Sequence, residues 1–154
     1  MPDKFMSDKS NLMLQLDNQL CFALYSTSLA MTRLYKPMLL ELGLTYPQYL
    51  AMLALWERDG LMVSELGEQL YLDSGTLTPL LKRLETTGYI SRLRAVDDER
   101  RVYITLTSSG RKLKARAAKI PGCILKASQC ALPEVKLLTS QVQALRQRLA
   151  AQQI

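Results

Sequence analysis

Ser64–Gly110 reads SELGEQLYLDSGTLTPLLKRLETTGYISRLRAVDDERRVYITLTSSG. SELGEQL and GTLTPLLKRLETT each carry apolar residues at helical spacing. Tyr71-Leu72-Asp73 lies between them as a turn. Ser64 is placed to cap the first helix, Asp73 or Ser74 to cap the second, and Gly88 to end it. Pro79 falls near the first turn, where a missing N–H costs least. Two short helices joined by a turn of this length make a helix-turn-helix. Beyond Gly88, YISRLRAV and RVYITLT alternate and are rich in β-branched residues, with VDDER between them. That is a β-hairpin with a charged tip. A helix-turn-helix followed by such a hairpin is a winged helix, and the expected class is mainly α with a small β-wing.

Helical pattern continues on both sides. Residues 11–42 carry Leu, Met, Phe and Ala at helical spacing, as one long helix or two in sequence, closed by Gly43. Thr45 is a plausible N-cap for YPQYLAMLALWE, with Pro47 in its first turn. After Ser108, SSGRKLKARAAKI resumes helix and Pro121-Gly122 interrupts it. CILKASQCAL follows as a further helical piece, and the final helix starts at Pro133. That last helix places Val135, Leu138, Val142, Leu145 and Leu149 on one stripe. Such a stripe must be buried, and a second copy of the chain is the expected cover. The whole chain, 1–154, is expected to be a single domain. Its winged part spans 45–107, and 11–42 with 108–154 supply the dimerisation helices.

The 154 residues suffice for one domain with a real core. No run of 18 apolar residues suggests a membrane span. The opening MPDKFMSDKS is polar and unlike a secretory signal, so the expected place is the cytoplasm. The chain has no histidine, which removes Ser/His and Cys/His catalysis and most transition-metal sites. Cys21, Cys123 and Cys130 have no zinc-ligand spacing. No metal and no cofactor is expected. The formal charge is +6, and Lys82–Lys119 holds eleven Lys/Arg against four Asp/Glu. The entire excess therefore lies in one quarter of the chain, the footprint of a nucleic-acid partner.

The second helix of such a motif enters the DNA major groove. Ser74, Thr76 and Thr78 lie early in it and can approach base edges and phosphates, while Lys82 and Arg83 reach the backbone. Leu77, Leu80, Leu81 and Leu84 form the opposite, packed face. The wing carries Arg94, Asp98 and Arg100, and arginine there is placed for an adjacent minor groove. Asp98 is placed to orient Arg100 by a charge-assisted bond. Strict alternation would send Arg101 to the other face.

SELGEQLYLDSGTLTPLLKRLETTGYISR with DDERRVYITLTSSG resembles the MarR family of dimeric bacterial winged-helix regulators. The D-x-R wing signature stands at Asp98/Arg100, and the closing L-T-x-x-G at Leu106-Thr107 to Gly110. DNQLCFALYS, LTYPQYLAMLALWE and LYLDSGTLTPLLKRLE together resemble its organic hydroperoxide sensor branch, and the similarity covers nearly the whole chain. The resemblance implies that Cys21 is a peroxide-reactive thiol, that the reduced dimer represses by holding operator DNA, and that oxidation releases it. It implies an organic hydroperoxide resistance gene as the target.

A reactive Cys21 needs a thiolate, and without histidine its support must come from donors such as phenols. Tyr25 is four residues on and shares its helix face. Tyr35 is fourteen residues on, about 21 Å along a straight helix, so in an unbroken helix it cannot reach its own Cys21, whereas it could reach that of an antiparallel partner. In the sensor branch the tyrosines beside the cysteine come from the other subunit, and they match Tyr35 and Tyr46. Phe22, Leu24, Met52 and Trp56 are expected to form an apolar pocket that favours alkyl and lipid hydroperoxides over hydrogen peroxide. Two-cysteine members of the branch resolve the oxidised sulfur with a second cysteine of the partner chain. Cys123, in the first turn of a helix, is favoured for that role by the helix dipole. Cys130, near a helix end, is less favoured, and both can be bystanders. The competing functions are a MarR-type regulator of a small aromatic ligand with Cys21 incidental, a thiol peroxidase, and a nucleoid protein without sequence preference.

Overall fold

The computed structural model describes residues 9–152. The polar opening stretch falls largely on residues 1–8, outside the described residues. Residues 9–13 are helical, and a 3-10 turn at Leu16–Asn18 separates them from α1, Leu20–Leu42. The stretch is thus broken at residues 14–19. Two side-chain amides cover carbonyls that the break leaves open. Asn18 donates to the Leu12 carbonyl at 2.7 Å, and Gln19 to that of Met13 at 2.6 Å. α1 then runs unbroken through Pro37 to Gly43, which takes the left-handed conformation at φ 70°.

α2 (Tyr46–Glu57) starts with a full capping box. Thr45 Oγ1 accepts from the Gln48 N–H, and the Gln48 side chain accepts from the Thr45 N–H. α2 runs through the centre of the molecule, with Ala51, Met52 and Leu55 fully buried. A two-residue strand, β1 (Leu61–Met62), leads into α3 (Val63–Leu70), then α4 (Ser74–Thr87) and the wing strands β2 (Ile90–Arg94) and β3 (Val102–Leu106). The sheet is antiparallel in the order β1-β3-β2, with Leu61 opposite Ile104 and Ile90 opposite Leu106. Leu66, Leu77, Leu81, Leu84, Ile90 and Ile104 close the core beneath the helix-turn-helix. The chain continues as α5 (Ser108–Ala117), α6 (Ile120–Ser128) and α7 (Leu132–Ala150).

Several expectations change. Ser64 does not cap α3: the helix begins at Val63, and the preceding Met62 is fixed by its pairing with Tyr103 in the sheet. The strand β1 went unanticipated because two residues carry no period. Asp73, not Ser74, caps α4, with its carboxylate accepting from the Thr76 N–H at 2.7 Å. Pro79, expected near the first turn of α4, is its sixth residue. Pro121-Gly122 does not interrupt helix but opens α6, where a missing N–H is tolerated.

The L-T-x-x-G closure has a steric basis. Thr107 caps α5 by accepting from Gly110 N–H, and its own hydroxyl donates to the Gly88 carbonyl at 2.5 Å. A Cβ on Gly110 would fall 2.0 Å from the Tyr89 carbonyl oxygen. The Gly110 carbonyl accepts from the Trp56 indole at 2.9 Å. Gly110 therefore locks α5 and α2 onto the base of the wing.

α7 behaves differently. It buries no residue within the chain: Val135 and Leu145 are half-buried, while Leu138, Val142 and Leu149 are exposed. Among the described residues no single helix is long and apolar enough to cross a membrane.

Candidate functional site: a phenol cluster and a DNA-facing surface

Cys21 is the second residue of α1 and is exposed. Tyr25 follows one turn later on the same face and is 64% exposed. The expected pocket does not assemble around Cys21 within one chain. Met52 is fully buried in the core, Trp56 is tied to Gly110, and Phe22 and Leu24 remain exposed. The helix carrying Cys21 also carries Tyr35, without a break between them. At the helical rise the two are about 21 Å apart, so Tyr35 cannot serve its own cysteine.

Tyr35 instead joins Tyr46 and Tyr49. The ring centroids of Tyr35 and Tyr46 are 4.9 Å apart, those of Tyr35 and Tyr49 5.7 Å, and those of Tyr46 and Tyr49 6.3 Å. Burial, with the neighbouring phenols Tyr46 and Tyr49, pushes the Tyr35 pKa up to about 12. Burial also raises Tyr46 and Tyr49. These groups stay protonated well above neutral pH and remain hydrogen-bond donors. Tyr49 was missed from sequence, although its i,i+3 spacing from Tyr46 in YPQY places both on one helix face.

The other two cysteines differ in setting. Cys123 is the fourth residue of α6 and exposed, with its N–H donating to the Lys119 carbonyl. Cys130 lies just past the end of α6 and is half-buried. Its N–H donates to Ser128 Oγ at 3.2 Å, and its thiol to the Ser128 carbonyl at 3.5 Å.

On the opposite side, α4 splits cleanly. Ser74, Thr76, Thr78, Lys82 and Arg83 are exposed, while Leu77, Leu80, Leu81 and Leu84 are buried. The Thr76 N–H holds the Asp73 carboxyl below its usual range. Arg94 is exposed at the end of β2. Asp98 Oδ1 accepts from the Arg100 N–H at 3.0 Å and from its guanidinium at 3.3 Å. Strict alternation does not govern Arg100 and Arg101, because both precede β3. They line the same cleft, about 790 Å³, between the wing and the α3–α4 turn, together with Tyr71 and Ser74. A further pair was not anticipated. Glu85 of α4 accepts from the Arg92 N–H and twice from its guanidinium, at 3.1–3.2 Å. This ties the wing to the recognition helix and keeps the Glu85 carboxyl below its ordinary range.

Comparison with known proteins gives this arrangement a family. Residues 33–117, more than half of the chain, match the family described as transcriptional regulator SarA/Rot. An organic hydroperoxide resistance transcriptional regulator of Bacillus subtilis is 53% identical over 136 residues, covering 88% of this chain and 92% of its own. The chain is a MarR-type winged-helix transcriptional regulator of the organic hydroperoxide resistance branch. Solved structures of this MarR-type class agree. Reduced AbfR bound to DNA is 34% identical with a TM-score of 0.76, covering 92% of this chain and 99% of that one. The disulfide-formed state of AbfR is 35% identical, with coverage of 94% and 97% and a TM-score of 0.61. MarR itself, 24% identical over 86% of this chain and 99% of its own, shares the fold at a TM-score of 0.70.

Proposed function

We propose that this regulator is a peroxide-sensing repressor whose reduced homodimer holds operator DNA and whose oxidation at Cys21 releases it. The observation that carries the reading is the phenol cluster. Tyr35 stands on the same α1 as Cys21 but out of its reach, and Tyr46 and Tyr49 of α2 pack against it, so a site that pairs this cluster with a thiol needs two chains. The uncovered stripe of α7 supports the same assembly, built from residues 11–42 and 108–154 of each copy.

In this reading Tyr35 and Tyr46 of one subunit donate to the Cys21 thiolate of the other, with Tyr25 assisting. The thiolate sulfur attacks the distal oxygen of an organic hydroperoxide. The O–O bond breaks, an S–O bond forms, and the alkoxide takes a proton and leaves as an alcohol. Cys123 of the partner subunit then attacks the sulfenic sulfur, an S–S bond forms and water leaves. Cys123 is preferred over Cys130 because it is exposed and lies in a helix first turn. The bond draws the flanking helices together and changes the separation of the two recognition helices, which no longer match half-sites one turn apart. Ser74, Thr76, Thr78, Lys82 and Arg83 engage the major groove, and Arg94 and Arg100 the adjacent backbone and minor groove. The controlled gene is one for organic hydroperoxide resistance, and the protein acts in the bacterial cytoplasm, at the nucleoid.

The test is a gel-shift titration on the DNA upstream of the protein's own gene. Reduced protein is expected to bind, one equivalent of cumene hydroperoxide to abolish the complex, and dithiothreitol to restore it. Cys21→Ser is expected to bind and not to respond. A complex indifferent to peroxide, or release that survives in Cys21→Ser, would overturn the reading.

A further inference from the structure

The tyrosine cluster borders a second feature of α1. A cavity of about 300 Å³ is walled by Arg33, Lys36, Leu39, Leu40, Leu44 and Tyr46. That volume lies at the lower end for small-molecule sites. Leu39 and Leu44 are buried and form an apolar floor. Arg33 and Lys36 are three residues apart, so their cationic heads share one helix face. Among the described residues neither head has an ion-pair or hydrogen-bond partner. The acid of α1, Glu41, is paired with Lys119 at 3.8 Å. The wall is thus two uncommitted cations, a leucine floor and a phenol of the proposed sensing cluster. That combination fits an amphiphile with an anionic head and an alkyl chain.

We propose that Arg33 and Lys36 hold the carboxylate of a fatty-acid hydroperoxide, whose chain lies on Leu39 and Leu44 and whose peroxide reaches Tyr46. The proposal rests on the shared site described above, in which Tyr46 faces Cys21 of the partner subunit. The chemistry is the same step. The thiolate sulfur takes the distal oxygen, the O–O bond breaks, and a hydroxy fatty acid leaves once its alkoxide has taken a proton. Arg33 and Lys36 do not touch the reacting atoms. They set which hydroperoxide is concentrated beside them.

The experiment compares rates of Cys21 thiol loss with three oxidants below their micellar concentrations. These are linoleic acid hydroperoxide, its methyl ester and cumene hydroperoxide, each normalised to its rate with free cysteine. Wild type is expected to prefer the acid over the ester about fivefold, roughly 1 kcal/mol. Arg33→Gln/Lys36→Gln is expected to erase that ratio and leave the cumene hydroperoxide rate unchanged. The charge-keeping variant Arg33→Lys/Lys36→Arg is expected to retain the ratio. Equal acid and ester rates in wild type would overturn the proposal. So would a double-Gln variant that slows all three oxidants alike, or one that weakens dimerisation with the ratio intact. If Cys21 reacts with none of the oxidants, the sensing reading fails separately. Calorimetry with linoleate then decides the cavity: binding that the double-Gln variant weakens keeps the cation site, and absent binding removes it.

Discussion

The winged half of the chain and its flanking helices obey different rules. From α2 to β3, nearly every apolar residue facing inward is covered by the same chain, and two long-range bonds anchor this half to the helix ends beside it, Tyr89 to the Leu42 carbonyl of α1 and Trp56 to the Gly110 carbonyl of α5. α7 is as apolar along one stripe, yet it buries nothing, and the first half of α1 leaves Leu20, Phe22, Leu24 and Leu29 exposed. The first region is complete as a single copy. The second leaves apolar residues uncovered within one chain, which the proposed dimer would cover. In the proposed switch, the surface that changes on oxidation is drawn from elements whose packing is not fixed within one chain.

The largest effects are expected in the self-contained half and at its border with α5. Gly110→Ala forces a Cβ against the Tyr89 carbonyl and should cost about 3 kcal/mol or more, as a buried Leu84→Ala should. Chemical denaturation measures both, and a change below about 1 kcal/mol in either would show that this half is less tightly locked than its geometry indicates.

Next in size is the α7 stripe. Leu138→Lys/Val142→Glu should weaken self-association about 100-fold or more, from the loss of two apolar side chains that the proposed dimer would bury. Winged-helix stability in the resulting monomer should be little changed. Sedimentation read beside denaturation tests this, and monomers that unfold as readily as Leu84→Ala would erase the distinction between the two halves.

Smaller effects are expected at the sensing site. In the proposed site, Tyr35→Phe or Tyr46→Phe would remove a donor to the Cys21 thiolate and should slow its oxidation by peroxide about tenfold, the value of a bond to an ionised group. Tyr35 is raised to about 12 and Tyr46 and Tyr49 are raised in the same direction. The folded state therefore holds these protons more tightly than the unfolded chain. The stability from this source is complete below about pH 10, the ordinary tyrosine value. It should fall as pH rises from there through about 12. Absorbance titration of phenolate formation, alongside denaturation at each pH, checks both statements.

The smallest effects belong to the wing. Arg92→Ala breaks a partly exposed pair with Glu85 and should cost at most about 1 kcal/mol in stability. Arg100→Ala should weaken DNA binding across sequences and lower the salt slope by about one. A base-specific loss at one operator position would instead assign Arg100 to direct readout.

The helix-turn-helix and wing were legible because their signals are local. Asp73, Gly88, the leucines of α4 and the alternation in YITL each act within a few residues. The start of α3 was misplaced, since pairing between Met62 and Tyr103 decides it and those residues lie far apart in sequence. The pocket expected from Phe22, Leu24, Met52 and Trp56 does not form within one chain, because periodicity tells which residues turn inward but not which interior they enter.

The sequence by itself determined the fold class, the family, the basic DNA-facing helix and the separation of Cys21 from Tyr35, because helix rise and local capping depend on neighbours in the chain. Only the tertiary structure decided that Tyr49 joins Tyr35 and Tyr46, that Gly110 locks under Tyr89, and that Arg33 and Lys36 stand without partners among the described residues over a leucine floor. Those facts depend on which elements come to lie against each other, and burial, contact and unpaired charge have no value until that packing exists.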